Sequence, residues 1–192
     1  MMNFSQDWFS HNIPNFQHLK GMLPSCKNVL EIGCFEGRAT CWILENLLDD
    51  DGKITCVDTF QGSAEHTNLD LSGLFARWKG NVEWVRKEGQ VCSAYIGKSY
   101  KVLGQLITDE EQYDFIYIDG SHTAPDVMTD ACMAFGLLKT GGIMLFDDYL
   151  WSDMPDLLDR PKIAVDYFTV LFGQQVEMVL FGYQLAVRKR PT

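Results

Sequence analysis

The chain has 192 residues, 46% of them hydrophobic, and a formal net charge of −10. That length suits one domain with one sizeable core, and that composition excludes a disordered polymer. The acidic balance disfavours nucleic acid or an anionic membrane surface as partner, no apolar run approaches the ~20 residues of a membrane span, and the polar, aromatic start lacks a signal-peptide core, so a cytoplasmic protein is expected.

Ile13, Phe16, Leu19, Met22 and Leu23 recur at helical spacing until Pro24, so residues 1–25 read as an N-terminal extension or lid. Residues 28–32 form an apolar run expected as a buried strand, and a helix is expected over about 38–48, closed by the turn Asp49-Asp50-Asp51-Gly52. A second strand spans 53–57. Leu71, Leu74, Phe75, Trp78, Val82 and Val85 fit a long helix that Gly80 interrupts. Strands follow at 91–96 and 113–118, separated by a helix over 100–107. Pro125 suits the first turn of a helix running to 138. A fifth strand spans 143–146, a helix lies near 162–172, and 176–181 with 183–188, joined at Gly182, read as a closing hairpin.

Strands that alternate with helices imply a mostly parallel sheet covered on both faces. Ligands bind such sheets outside the carboxyl ends of the strands. Glu31 and Gly33, Asp58, Gly97 and Ser99, Asp119, and Asp147 with Asp148 all fall there. The turn after the first strand has the spacing E-x-G-x-x-x-G, with Cys34, Phe35 and Glu36 between its glycines Gly33 and Gly37. A dinucleotide turn, G-x-G-x-x-G, leaves bare backbone for a pyrophosphate. Here bulk and a carboxylate stand in that place. They suit a ligand without phosphates that carries a positive centre, such as the sulfonium of S-adenosylmethionine. The six cysteines, Cys26, Cys34, Cys41, Cys56, Cys92 and Cys132, show neither C-x-x-C nor zinc-site spacing and are expected to be reduced, buried small hydrophobes.

The segments V-L-E-I-G-C-F-E-G, I-T-C-V-D-T-F, Y-D-F-I-Y-I-D-G-S-H and L-L-K-T-G-G-I-M-L-F-D-D-Y, in this order over residues 28–150, resemble class I S-adenosylmethionine-dependent methyltransferases. The similarity is to the small-molecule O-methyltransferase branch, with its catechol, caffeoyl-coenzyme A and macrolide-sugar enzymes. The resemblance implies a Rossmann-like α/β fold with a seven-stranded, mostly parallel sheet, helices on both faces and a C-terminal antiparallel hairpin, in a single domain over 1–192. It implies that Glu31 and Gly33 line the methionine part of the cofactor, that Asp58 accepts from the ribose, that the Gly97–Ser99 turn lies against adenine, and that Asp119 sits beneath the methyl group. Phe35, Gly37 and Thr59, in the same turns, join the cofactor-binding set. It further implies a divalent cation, Mg²⁺ by the hardness of its oxygen ligands, held by Asp119, Asp147 and Asp148. His122 stands where catechol-type enzymes place a lysine base, and imidazole suits that task at neutral pH. A homodimer is common in that branch.

Each of these readings has a plainer counterpart. Asp58 also fits a loop acid or helix cap, Ser99 a helix N-cap, the three aspartates a cap and a solvated strand end, and His122 a hydrogen-bonded loop residue. Phe4, Trp8 and Phe9 fit a lid that excludes water or simple packing. Tyr149 and Trp151 fit a substrate wall or support for the next segment, and Arg160 and Lys162 fit an anion grip or a solvated helix start. The expected function is methyl transfer to a hydroxyl of a small molecule. The alternatives are a metal-independent N- or carboxyl-methyltransferase and a non-catalytic cofactor-binding module, with a nicotinamide oxidoreductase disfavoured by the acidic turn. Acceptor specificity is expected in residues 1–25, 61–90 and 149–162.

Overall fold

A computed structural model describes residues 1–63, 66 and 68–191. Seven strands form one sheet: β1 (Asn28–Ile32), β2 (Lys53–Asp58), β3 (Val91–Ile96), β4 (Tyr113–Ile118), β5 (Leu138–Phe146), β6 (Val176–Phe181) and β7 (Leu185–Lys189). Their order is β3-β2-β1-β4-β5-β7-β6. The first five are parallel, while β7 runs antiparallel between β5 and β6. This is the Rossmann-like fold with a terminal hairpin that the sequence implied.

Among the described residues, six α-helices cover it: α1 (Ile13–Lys20), α2 (Arg38–Trp42), α3 (Leu74–Val85), α4 (Ser99–Thr108), α5 (Ala124–Leu137) and α6 (Pro161–Leu171). Strand side chains alternate between two cores. Leu30, Ile32, Ile116 and Ile118 pack with α4, α5 and α6; Val29, Phe115 and Tyr117 pack with α1, α2 and α3. Phe16 and Leu19 of α1 are fully buried in the second core, so this helix is built into the fold.

Three local differences from expectation have physical reasons. Gly80 does not interrupt α3; its hydrogens face open space, and propensity alone costs only about 1 kcal/mol. The helix starts instead after Gly73, whose φ of +66° sets the chain direction. Residues 43–47 continue α2 as a π-helical turn. β5 begins at Leu138 rather than 143, because Leu138 pairs with Tyr113 before an irregularity restores the register at Phe115 and Ile143.

The ladder continues one step past the strands. Gly33 N donates to Val57 O at 2.9 Å, Gly97 N to Asp58 O at 2.9 Å, Asp119 N to Ile32 O at 2.8 Å and Asp147 N to Ile118 O at 2.9 Å. The first loop residues are thereby pinned in a row along the carboxyl edge.

Candidate active site

A cavity of about 700 Å³ opens along that edge. Its wall carries Glu31, Gly33, Phe35, Asp58, Thr59, Gly97, Ser99, Asp119 and His122, so nearly the whole expected cofactor set shares one space. Gly37 is not on that wall. Its φ of +81° and the Trp78 ring, 2.8 Å from where a Cβ would lie, give it a conformational role at the start of α2. Gly33 has φ +86°, and a Cβ there would fall 1.8 Å from the Asp119 carbonyl oxygen. The β1 and β4 turns meet that closely.

The acid at the end of β2 occupies the amides of this turn. Asp58 Oδ2 accepts from the amides of Cys34 at 2.7 Å and Phe35 at 2.9 Å, and Oδ1 accepts from Phe60 N at 2.7 Å. The N–H groups that would bind a pyrophosphate are already used. Glu36 contributes less than its charge suggested, because it is buried and paired with Arg77 at 2.8 Å. It also accepts from Ser5 N at 2.6 Å. Glu31 is fully buried; Oε2 accepts from Thr40 Oγ1 at 2.6 Å, while Oε1 has no hydrogen-bond partner among the described residues. Burial pushes its carboxyl up to about 8, against the hydrogen bonds from Thr40 and Cys56. An orphaned acid on the cavity wall fits a ligand that brings donors.

The second cluster lies where β4 and β5 end. Asp119, His122 and Asp148 each offer one ligand atom within 4.8 Å of the others. His122 Nε2 is 2.9 Å from Asp148 Oδ2 and 3.9 Å from Asp119 Oδ1. Burial works against its charge, yet bonds to Asp119 and Asp148 outweigh this and raise it to about 10. Asp147 stands one step behind. It accepts from Asn12 Nδ2 at 3.0 Å, from Asp148 N at 2.8 Å and from the Tyr117 hydroxyl, which also lies 3.0 Å from Asp119 Oδ2. Burial, then the charges of Asp119 and Asp148, push Asp147 up to about 8. One phenol proton between two half-buried carboxylates ties their titrations together. Asp119 and Asp148 are hard oxygen donors that fit a divalent cation, with the His122 imidazole as a further donor only in its neutral form.

The flanking residues divide. Trp8 packs on Phe35 at 5.0 Å and stacks on His66 at 5.1 Å, so it and Phe9 wall the cavity, while Phe4 lies under the Arg38 guanidinium. Trp151 packs on His122 at 4.9 Å, but Tyr149 is buried with its hydroxyl 2.8 Å from Asp166 and supports α6. Lys162 is bound to Asp166 and lies over Tyr149, and Arg160 donates to Met154 O; neither reaches the cavity wall. Lys98, not Ser99, holds the capping position of α4. The cysteines are all thiols, with Cys132 exposed rather than buried. Residues 64, 65 and 67 of the expected specificity region lie outside the described residues. Asn12, Tyr117 and Asp130 were missed in the sequence: the first is in a region without motif, the second reads as strand core, and the third as a mid-helix acid.

A family model described as a methyltransferase domain matches residues 30–149. Tapetum-specific methyltransferase 1 of Arabidopsis thaliana is 32% identical over 130 residues, 66% of this chain and 48% of that one. The chain thus spans about half the length of the curated relatives it matches. The O-methyltransferase from Bacillus cereus in complex with SAH is similar with TM-score 0.68 at 18% identity, over 98% of this chain and 84% of that one. The MycE methyltransferase from the mycinamycin biosynthetic pathway, in complex with Mg, SAH and mycinamycin VI, is similar with TM-score 0.62 at 14% identity, over 96% and 50%. These two likenesses are of fold. No helix among the described residues is long and apolar enough to cross a membrane.

Proposed function

The chain belongs to the methyltransferase-domain family, and on that premise we propose that it moves a methyl group from S-adenosylmethionine to a hydroxyl of a small molecule. The observation that carries this is the shared edge: the phosphate-excluding turn at Gly33 and the Asp119–His122–Asp148 cluster border one cavity. Gly33 lets the donor approach the backbone, Asp58 faces the ribose, and Glu31 and Asp119 face the methionine end. Trp8 and Phe35 exclude water from the donor. Asp119 and Asp148, with Asp147 behind them, would hold Mg²⁺ in place of the His122 charge, as a magnesium ion is present in MycE. When bound, such a cation supplies Lewis acidity to the acceptor's oxygen. His122, its charge held by Asp119 and Asp148, faces the acceptor as a proton donor to its oxygen and serves as base only after losing its own proton, and Trp151 walls the acceptor side.

A second reading, metal-independent transfer, is favoured by the His122 pairing, which neutralises part of the acidic cluster without a cation. The acceptor remains a small molecule in either reading, and the cytoplasm the proposed location. The exposed Tyr167, Val170 and Leu171 of α6 offer a surface for a homodimer, which light scattering tests. Calorimetric titration with S-adenosylhomocysteine should give micromolar affinity, and methyl transfer to a panel of hydroxylated acceptors should stop with EDTA. Absence of binding overturns the cofactor reading; EDTA-insensitive turnover overturns the metal.

A further inference from the structure

Three thiols and an acid meet behind the turn that follows β1. Glu31 and Cys56 are direct cross-strand partners of β1 and β2, and the Cys56 thiol donates to Glu31 Oε2 at 3.5 Å. The turn at Gly33 brings Cys34 back over this pair, its Sγ 3.8 Å from Val57 O. One ligand atom from each of Glu31, Cys34 and Cys56 lies within 4.8 Å of the other two. Cys92 Sγ, on β3, is 4.0 Å from Cys56 Sγ. The first three residues are buried, and Glu31 Oε1 has no hydrogen-bond partner among the described residues. Glu31 and Cys34 nevertheless stand on the cavity wall, so the cluster has an entrance.

Strand register argues against a disulfide here. Cys56 pairs with Ala94 and Cys92 with Ile54, so the two cysteines are two residues out of step. Strands about 4.8 Å apart, rising about 3.3 Å per residue, set such Cα atoms about 8 Å apart, beyond the about 7 Å that a disulfide spans. A metal ion is a longer bridge: with bonds of about 2.3 Å to sulfur, a tetrahedral ion holds its ligand atoms about 3.5–4 Å apart. Burial pushes the thiols of Cys34 and Cys56 far up, so they stay protonated until an ion displaces their protons. Soft thiolates select Zn²⁺ over Mg²⁺. Two of them also neutralise the dication, which limits the cost of burying it.

We propose that Glu31, Cys34 and Cys56, with Cys92 beside them, bind Zn²⁺ in the donor-free protein, and that this ion and the methyl donor exclude one another. Each thiol releases its proton to solvent as its S–Zn bond forms, and nothing is oxidised. The exclusion follows from shared groups. Glu31 faces the methionine end of the donor, and the Cys34 amide holds Asp58 at 2.7 Å, so an ion drawing on Cys34 displaces that turn. The metal site stands without the cofactor reading; the exclusion rests on it. The ligands come from three strands, which is why no local cysteine spacing marks them.

Cd²⁺ is the optical probe, in a Cys132→Ser parent that lacks the exposed thiol. The donor-free parent should bind Cd²⁺ with a thiolate-to-metal charge-transfer band, and excess Zn²⁺ should remove the band by displacement. Cys34→Ala and Cys56→Ala should each weaken Cd²⁺ binding at least about tenfold. Asp148→Asn should keep the band, which separates this site from the acceptor-side cluster. No band in the parent overturns the inference, whether or not the variants fold. A band undiminished in either folded cysteine variant does so too, and a band that resists excess Zn²⁺ overturns Zn²⁺ as the ion. Saturating S-adenosylhomocysteine should abolish the band; its binding at full affinity beside Cd²⁺ overturns the exclusion. A protein that shows the band yet fails to bind S-adenosylhomocysteine overturns the cofactor reading and leaves the metal site standing.

Discussion

His122 bridges the gap between two carboxylates, its Nε2 2.9 Å from Asp148 Oδ2 and on the side of Asp119. A positive charge is thus already supplied to the acidic cluster by the chain itself. Three carboxylates this close, at 119, 147 and 148, repel one another, and the fold answers with an imidazolium, a shared phenol proton and an amide from Asn12. A cation and the His122 proton compete for the same acids.

His122→Ala should therefore have two opposite effects. Divalent-cation affinity should rise by about tenfold, because a competing unit charge is removed from a partly buried site. Methyl transfer should fall by about 10²–10⁴, the usual worth of a positioned acid–base group. Mn²⁺ titration followed by paramagnetic resonance and initial rates measure both. Unchanged cation affinity would place the ion away from Asp119 and Asp148.

Asn12→Ala removes the amide that the N-terminal segment extends to Asp147. The expected stability cost is about 1 kcal/mol, the value of one hydrogen bond. Turnover should drop several-fold while S-adenosylhomocysteine affinity stays within twofold, since Asn12 is not on the cavity wall. A matching loss of cofactor affinity would show that Asn12 acts through the whole lid rather than through Asp147.

Glu31 makes stability depend on pH with a definite sign. Its carboxyl is raised by burial from 4.5 to about 8, so between those values the native state binds a proton the unfolded chain lacks. Stability from this group is full below pH 4.5 and falls as pH rises toward 8. Urea unfolding of wild type and Glu31→Gln at pH 5 and 7.5 should show the variant gaining about 3 kcal/mol relative to wild type across the interval. Asp147 titrates in the same window in both proteins and cancels in the difference. A constant gap would mean that Glu31 is ionised in the fold.

Much of this fold was legible because hydrophobic pattern and turn chemistry agree. The runs at 28–32 and 113–118 coincide with β1 and β4, central strands buried on both faces that leave apolar stretches, and those at 91–96 and 176–181 with the more exposed edge strands β3 and β6, marked by the turns around them. Gly80 misled because a helix tolerates a solvent-facing glycine, and the early start of β5 was hidden by the polar Lys139-Thr140-Gly141-Gly142, which pair through backbone. At the site, strand ends marked Glu31, Asp58, Asp119 and Asp148, because topology alone brings strand ends together. Asn12 and Asp130 were not legible. Asn12 reaches Asp147 from a segment 135 residues away, and no periodicity announces that the mid-helix Asp130 faces the cavity. The neutralisation of Glu36 by Arg77 was equally hidden, 41 residues away.

Two glycines with positive φ separate conformational strain from steric conflict. Gly33 and Gly73 have φ of +86° and +66°, so an alanine at either pays the left-handed penalty of about 1–2 kcal/mol. At Gly73 nothing lies within 4 Å of the new Cβ, whereas at Gly33 it would meet Asp119 O at 1.8 Å, Asp119 C at 2.4 Å and Gly120 Cα at 2.7 Å, all backbone. Relief would require β1 and β4 to part where Asp119 N bonds Ile32 O. Gly73→Ala should thus cost about 1–2 kcal/mol in urea unfolding, while Gly33→Ala should cost at least about 2 kcal/mol more or yield no folded protein. Any folded Gly33→Ala protein should also bind S-adenosylhomocysteine at least tenfold more weakly, because the displaced turn carries the Asp58 contacts. Equal midpoints for the two variants would show that the β1 and β4 turns do not meet as closely as their backbone atoms indicate.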